Sequence, residues 1–331
     1  MIELLDALKF VSGSVAKKEL QEGLTHFRIV DGTVRGFNGT ISLCSPVPLN
    51  IDCTPKAEPM LKAIAACDEA VQMTMLANGK LSIKSGGFKV SVDTLQKPTA
   101  HVEPEGTIHE IDGQLFLNGL SRVTPFISDD ASRPWSCGVL VKQGSMYATN
   151  NASIIQYWFG AVFPVDCVVP RMAIKELLRI KKPPVRIQCT DTSMTFHYED
   201  GCWLRTQLLE LKWPNIDKII ERTENGANVY TLDTELFNCL EKIKPFCERD
   251  GRIYMENGVV RTHYNELDGA SAMFRESKSI GVYNIDLIMQ LKGLATNWDA
   301  SRFNEKDERG LSTPIIFYGE NLRGVIVGFR L

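Results

Sequence analysis

The chain lacks most of the marks of a secreted, membrane, metal-binding or catalytic protein. No apolar run among its 331 residues approaches the roughly 20 needed to span a bilayer. The opening segment, MIELLDALKF, carries acids where a signal peptide would carry bases. Nine cysteines are present (Cys44, Cys53, Cys67, Cys137, Cys167, Cys189, Cys202, Cys239 and Cys247), but they are scattered and odd in number. They form no CxxC pair and have no histidine at zinc spacing, so they read as reduced core thiols of a cytoplasmic protein without metal or cofactor. No GxxxxGK[ST] phosphate loop, HExxH helix or GxSxG elbow occurs. His197, Glu199 and Asp200 in HYEDG come nearest to an acid-base cluster. Strand alternation splits such neighbours between faces, however, and an Asp-Gly turn accounts for the composition. A surplus of bases is missing too, since the formal net charge is -3. That argues against a surface that grips nucleic acid everywhere and leaves room for one that gathers its bases on one face.

What is present is repetition. One unit of helix, strands, helix and strands is written three times at a spacing of about 110 residues. IELLDALKFVSGSVAK places Leu4, Leu5, Leu8 and Val11 on one face, and FRIVDGTVRGFNGTISL follows with a hairpin signal at Asp31-Gly32. GQLFLNGLSRVTPFI precedes CGVLVKQGSMYATN, with a turn at Gln143-Gly144, and DTELFNCLEKIKPFC precedes GRIYMENGVVRTHYNE, with a turn at Asn257-Gly258. Asp233 is the candidate N-cap of the third opening helix. A second helix is expected at 59–67, 170–180 and 284–294, with Pro59 and Pro170 in the first turn, where proline is tolerated. Closing hairpins are expected at 80–95, 193–210 and 313–331. Segments 98–108 and 212–228, with Pro98, Pro104, Gly106, Pro214 and Gly226, read as linkers.

On each helix the bases fall away from the apolar stripe. Arg171, Lys175, Arg179, Lys181 and Lys182 surround Ile174, Leu177 and Leu178, and Lys9, Lys17, Lys18, Lys62, Arg122, Lys242, Lys244 and Lys292 recur at matched places. Any one such face is explained by solvation alone. Recurrence suggests a second reading, a common surface for DNA. If two chains of three units closed a ring lined by two helices per unit, an interhelix spacing of roughly 9 Å would give axes on a circle about 34 Å across. Subtracting one helix diameter of roughly 10 Å leaves a hole near 24 Å, slightly wider than a B-form duplex of about 20 Å. Long-range attraction to phosphates would hold DNA there without reading its sequence.

Several segments, in order and at the right spacing, resemble the bacterial DNA sliding clamp, the beta subunit of the replicative polymerase. YATNNASI (147–154) looks like that family's ATDGHRL stretch, VVPRMAIKELLRI (168–180) like its VPRKxxxEL helix, and KWPNIDKII (212–220) like its FPDYxxVIP linker. DTLQKP (93–98) and the ending VIVGFRL (325–331) match less sharply. The resemblance covers the whole chain as a pattern. It implies an α+β clamp fold of three repeated domains, 1–105, 106–222 and 223–331, each with two helices packed on antiparallel sheet and assembling into a ring. It further implies a non-catalytic processivity factor for DNA replication. Its partners would be duplex DNA, a DNA polymerase, a clamp loader and a second copy of itself in a head-to-tail homodimer.

By position, the dimer interface would bring Val90 and Val92 against Ile243 and Phe246, although FKVSV alternation equally fits an ordinary half-buried strand. Partner peptides would dock on Gly138, Thr149, Asn151, Ala152, Ile154, Pro214, Ile219, Thr313, Ile315, Val325, Ile326, Val327, Gly328, Phe329 and Arg330. The alternative is that VIVGF is simply the last core strand, since alternation lets only some of those side chains face a pocket. Arg133 and Trp135 fall in a loop where the family presents DNA-contacting residues; Trp135 would stack on template or anchor its own loop. Asn150 to Ser153 replace the DGHR part and Val327, Gly328 and Phe329 replace MPM. These departures point to a divergent clamp, such as a virus or mobile element would carry, with its own peptide preference. Two other functions are weighed beside the clamp: a clamp-like decoy or regulator that binds partners without encircling DNA, and a hydrolase built on His197.

Overall fold

The computed structural model describes residues 2–97, 102–210, 212–265, 268–276, 278–306 and 310–330, so Pro98 and Leu331 lie outside the described residues. The first repeat runs α1 (Ile2–Val11), β1 (Arg28–Val30), β2 (Thr33–Phe37), β3 (Ile41–Pro46), α2 (Ala57–Ala65), β4 (Gln72–Met75), β5 (Leu81–Ser85) and β6 (Phe88–Val92). The second runs β7 (Thr107–Glu110), α3 (Gly113–Val123), β8 (Gly138–Lys142), β9 (Ser145–Thr149), β10 (Ser153–Trp158), β11 (Cys167–Pro170), α4 (Arg171–Ile180), β12 (Arg186–Cys189), β13 (Ser193–His197) and β14 (Trp203–Gln207). After α5 (Ile216–Glu224), the third runs β15 (Tyr230–Thr231), α6 (Glu235–Ile243), β16 (Arg252–Glu256), β17 (Val259–Arg261), β18 (Ser271–Met273), β19 (Gly281–Asn284), α7 (Ile285–Met289), β20 (Asn297–Asp299), β21 (Ile315–Gly319) and β22 (Leu322–Ile326).

Local chemistry explains the repetition. The opening helices bury the same positions: Leu4, Leu8 and Val11 in α1, Phe116, Leu120 and Val123 in α3, and Leu236, Leu240 and Ile243 in α6. Leu5 is only half-buried, and Ala7 completes the stripe of α1 instead. Each opening helix ends in a short 3-10 turn, Ser12–Ser14, Thr124–Phe126 and Lys244–Phe246. The three expected hairpin turns all form, with positive φ at both central residues: 47° and 66° at Asp31-Gly32, 49° and 79° at Gln143-Gly144, and 50° and 77° at Asn257-Gly258. Two left-handed residues give the type I′ turn whose twist matches that of the flanking strands. Of the residues expected to start helices, Pro170 is the N-cap of α4 itself, and Pro59 sits at the third position of α2. Thr234 takes the N-cap position of α6, while Asp233 Oδ1 accepts the Glu235 N–H at 2.9 Å.

The chain forms two compact units that cut across the repeats: Met1–Leu117 with Val169–Glu210, and Asn118–Val168 with Leu211–Leu331. The first contains a seven-stranded sheet, β1-β2-β3-β14-β13-β12-β7, and a three-stranded sheet, β4-β5-β6. In the second, an eight-stranded sheet is ordered β11-β8-β9-β10-β22-β21-β20-β15 and a four-stranded sheet β18-β17-β16-β19. In each unit a large sheet is continuous across a repeat boundary. The third strand after the opening helix of one repeat pairs antiparallel with the last strand of the next: β3 with β14, Leu43 opposite Leu204, and β10 with β22, Ile154 opposite Val325.

Helices repeat the arrangement. In the first unit, the carboxylate of Glu176, six residues after the α4 N-cap, lies against Gly13, the middle residue of the 3-10 turn after α1. In the second, Gln290, six residues after the α7 N-cap, donates from Nε2 to the carbonyl of Pro125, the middle residue of the corresponding turn, at 3.1 Å. Segment 212–228, expected to be a linker, folds its middle into α5. Ile216 and Ile220 pack with Tyr147, Ile316 and Val325, capped at the N-terminus by Asn215, whose side chain accepts the Lys218 N–H. Among the described residues no helix is long and apolar enough to cross a membrane.

Gly324 shows how tight the strand exchange is. A Cβ there would lie 2.3 Å from both the Ile154 carbonyl oxygen and the Phe317 ring. Gly324→Val should therefore lower unfolding stability by about 3 kcal/mol or more, measured by urea denaturation, whereas Gly39→Ala, with open space around its Cβ, should cost far less despite its positive φ.

Candidate functional site

The helix bases divide into two groups. Lys9, Lys17, Lys18, Arg122, Lys175, Lys181 and Lys242 are exposed and make no ion pair among the described residues. Arg133 is also exposed, while Arg171 is half-buried. The others are matched with acids: Lys62 with Glu58 at 2.6 Å, Lys182 with Asp200 at 2.6 Å, Lys244 with Asp286 at 2.6 Å, and Lys292 with Glu241. The bond Lys182 donates to Asp200 raises the ammonium pKa. Burial pushes the Asp200 carboxyl up, but its bonds with Lys182 and the Cys202 N–H outweigh that and leave it lowered. His197 of the same segment is bonded to Gln188 at 3.1 Å, with burial lowering its pKa.

Arg179 stays exposed but reaches back to α1. Its Nε donates to Glu176 Oε1 at 2.8 Å and its Nη2 to the Phe10 carbonyl at 2.8 Å, so it fastens α4 to α1. Trp135 meets Trp213 edge-on, ring centres 5.6 Å apart and 77° between planes, which anchors its loop to the segment leading into α5.

The fifteen residues expected to form a peptide pocket separate likewise. Gly138, Thr149, Ile315, Val325 and Ile326 are buried in or beside strands, and Thr149 Oγ1 donates to the Ser153 carbonyl at 2.7 Å. Asn151 occupies a left-handed turn at φ 71°, Ile154 packs beside α5, and Pro214 is exposed just before α5. Ala152 is tied to the tail by the Val327 N–H, 2.8 Å from its carbonyl. Ile219, Thr313, Val327, Gly328, Phe329 and Arg330 together line a cavity of about 820 Å³. Its remaining wall, 302–306 with 310–312 and Pro314 and the α5 residues Lys218, Arg222 and Thr223, was not anticipated. Segment 302–314 carries neither a two- nor a 3.6-residue period, whereas the α5 face was readable from Asn215 and the spacing of Ile216, Ile220 and Thr223.

A buried ion pair holds this cavity in shape. Arg302 donates from Nε to Asp299 at 3.0 Å and caps the end of α5 through the Asn225 carbonyl at 2.9 Å and the Thr223 carbonyl. Burial raises the Asp299 pKa, but bonds from Ser301 and Asn228 and the Arg302 charge bring it net below the ordinary value. The tail is fixed by the Phe329 N–H, 2.8 Å from the Val282 carbonyl, and by Arg252 stacked 4.7 Å from the Phe329 ring centre. Nearby, burial and Asp217 push the Tyr147 hydroxyl to about 12, so it stays protonated and hydrogen-bonds Asp217 at 3.0 Å. An apolar floor beside a fixed backbone edge can seat a short peptide. Among the described residues no group of three or more His, Cys, Asp or Glu is placed to hold a metal ion.

Of the residues expected at a dimer interface, Val92 and Ile243 are buried within their own units, Val90 is half-buried at the β6 edge, and Phe246 is 60% exposed.

No protein-family model matches the sequence, and no curated protein matches it either. Solved structures do. The DNA polymerase sliding clamp of Pseudomonas aeruginosa is similar over 100% of this chain and 98% of its own, with a TM-score of 0.80 at 17% identity. The Bacillus subtilis sliding clamp matches over 100% and 97% at a TM-score of 0.80 and 14% identity. The Helicobacter pylori beta clamp bound to DNA ligase peptide matches over 99% and 98%, with a TM-score of 0.77 and 12% identity. The chain therefore has the fold of the bacterial sliding clamps, the beta subunits of DNA polymerase III.

The two groups of bases should separate on mutation. Lys175→Glu should leave the thermal midpoint within about 1 °C, because surface changes away from such contacts are nearly neutral. Arg179→Glu should lower it by several degrees through loss of the α1 contact and an unpaired Glu176; equal midpoints in differential scanning calorimetry would show that Arg179 holds nothing together.

Proposed function

We propose that two copies of this chain close head to tail around duplex DNA and serve, without catalysis, as a sliding clamp for a DNA polymerase. The observation that carries the reading is the pair of equivalent junctions and the half-junctions left over. By the pattern of β3 with β14 and β10 with β22, the third repeat has β18 to offer and the first has β6, and both lie at sheet edges. By the helix pattern, Lys62, six residues after the α2 N-cap, awaits Pro245, the middle residue of the third 3-10 turn. Phe126, last in its turn, is fully buried and stacks on Phe317 at 6.0 Å, while its counterpart Phe246 and the β18 residue Met273 are 60% and 77% exposed. Open edges and uncovered apolar side chains of this kind require a partner, and a second copy supplies the complementary half at each end.

In this reading 1–105, 106–222 and 223–331 are the three domains, and the protein works in the cytoplasm. Lys9, Lys17, Lys18, Arg122, Arg133, Lys175, Lys181 and Lys242 attract phosphates, with half-buried Arg171 and the paired Lys62, Arg179, Lys182, Lys244 and Lys292 contributing less. Trp135 holds its loop in place. Polymerase and loader peptides dock in the cavity of Ile219, Thr313 and the 327–330 tail; the peptide-bound Helicobacter pylori clamp supports a peptide occupant. Carboxylate pairing of five helix bases favours a second reading, a clamp-shaped regulator that docks peptides without holding DNA.

On nicked circular DNA, loaded protein should persist through gel filtration and be lost when the circle is linearised; equal loss from both forms would favour the regulator. Sedimentation should give twice the chain mass, and Met273→Lys with Phe246→Lys should weaken self-association about 100-fold or more. A monomeric parent, or a double variant that associates as well as the parent, would remove the basis for the ring.

A further inference from the structure

The cavity at the tail is apolar within and basic around its rim. Ile219, Val327 and Phe329 supply the apolar surface, while Lys218, Lys306 and Arg330 bring positive charge from α5, from the 302–314 segment and from the tail. All three bases are exposed, and none pairs with a carboxylate among the described residues. Two further bases line it, Arg222 of α5 and Arg302, the latter neutralised by buried Asp299, and Glu305 is the one acid among the described lining residues. Among the described lining residues bases outnumber acids, whereas the chain as a whole carries a net charge of -3. Like charges converging from three elements on one cleft raise its potential and select a ligand of opposite sign.

Resting on the reading of this cavity as a peptide dock, we infer that its occupant is an acidic peptide: apolar side chains seated against Ile219, Val327 and Phe329, and carboxylates on both flanks facing Lys218, Lys306 and Arg330. A nucleic-acid strand answers the charge but brings no aliphatic anchor for the floor, so the peptide is favoured.

The test uses the full chain and two labelled octapeptides sharing a central Leu-Phe, one flanked by Asp and Glu, the other by Asn and Gln. Three rim pairs, each worth a factor of about two, give an expected preference of about tenfold for the acidic peptide in fluorescence anisotropy. The preference should shrink as salt is raised. In Lys218→Gln/Lys306→Gln/Arg330→Gln the preference, read as the ratio of the two dissociation constants, should fall toward one, whatever affinity is lost for both peptides together. Equal binding of both peptides to the parent would overturn the charge selection and leave the dock standing. Binding of neither would overturn both, and displacement of the acidic peptide by a short oligonucleotide of equal charge would assign the cavity to nucleic acid instead.

Discussion

The structure depends on a strand given across each repeat boundary. A repeat of this kind leaves the third strand after its opening helix and its last strand with unpaired backbone donors and acceptors, and buried edges of that sort are costly. Pairing β3 with β14 and β10 with β22 satisfies them within the chain and explains why the compact units do not coincide with the repeats. It also dictates the glycine at 324, where the neighbouring carbonyl and the Phe317 ring leave no space for a side chain. Once the sheets are continuous, the opening helix of one repeat and the second helix of the next are brought side by side. Glu176 with Gly13 and Gln290 with Pro125 follow from that geometry.

The cavity is a consequence of the same exchange in the second unit. Because β22 is the partner of β10, the chain leaves the sheet beside Ala152, and the Val327 and Phe329 N–H groups fix the tail on the Ala152 and Val282 carbonyls. The opposite wall needs α5, a helix of nine residues that is too short to be stable alone. Its apolar side packs on Tyr147, Ile316 and Val325, and Arg302 caps its C-terminus. The Asp299 carboxylate orients that arginine, and removing either partner would leave the other buried and uncompensated. Acid weakens the arrangement for the same reason. A carboxyl whose folded pKa is depressed contributes stability above its unfolded pKa, and that contribution disappears as pH falls through the folded value.

Much of this was legible in the sequence wherever the signal was local. Asp31-Gly32, Gln143-Gly144 and Asn257-Gly258 fix turns by themselves, and the recurrence of Leu8, Leu120 and Leu240 at one helical position marks the repeat. Chemistry between distant residues was not legible. Lys182 meets Asp200 and Lys292 meets Glu241 only after folding, so a stripe of bases in the sequence overstates the free charge on the helices. Arg179 shows the limit most plainly, since beyond its neighbour Glu176 its partner is the backbone carbonyl of Phe10, a group every residue carries and no pattern distinguishes. Likewise Trp135 gives no hint in sequence that its ring will meet that of Trp213.

Equivalent junctions raise a problem of pairing in the proposed ring, because three similar half-surfaces could in principle join in the wrong combinations. The position six residues after the N-cap of each second helix answers it chemically. Glu176 is an acid held by Arg179, Gln290 is an amide whose donor reaches the Pro125 carbonyl, and Lys62 is a base. A base at that position can donate to a turn carbonyl as the Gln290 amide does. The acid, conversely, could not donate to a carbonyl at all. The two junctions within the chain thus share a backbone plan and differ in the side chain at this position, and Lys62 would give the proposed third junction a different one again.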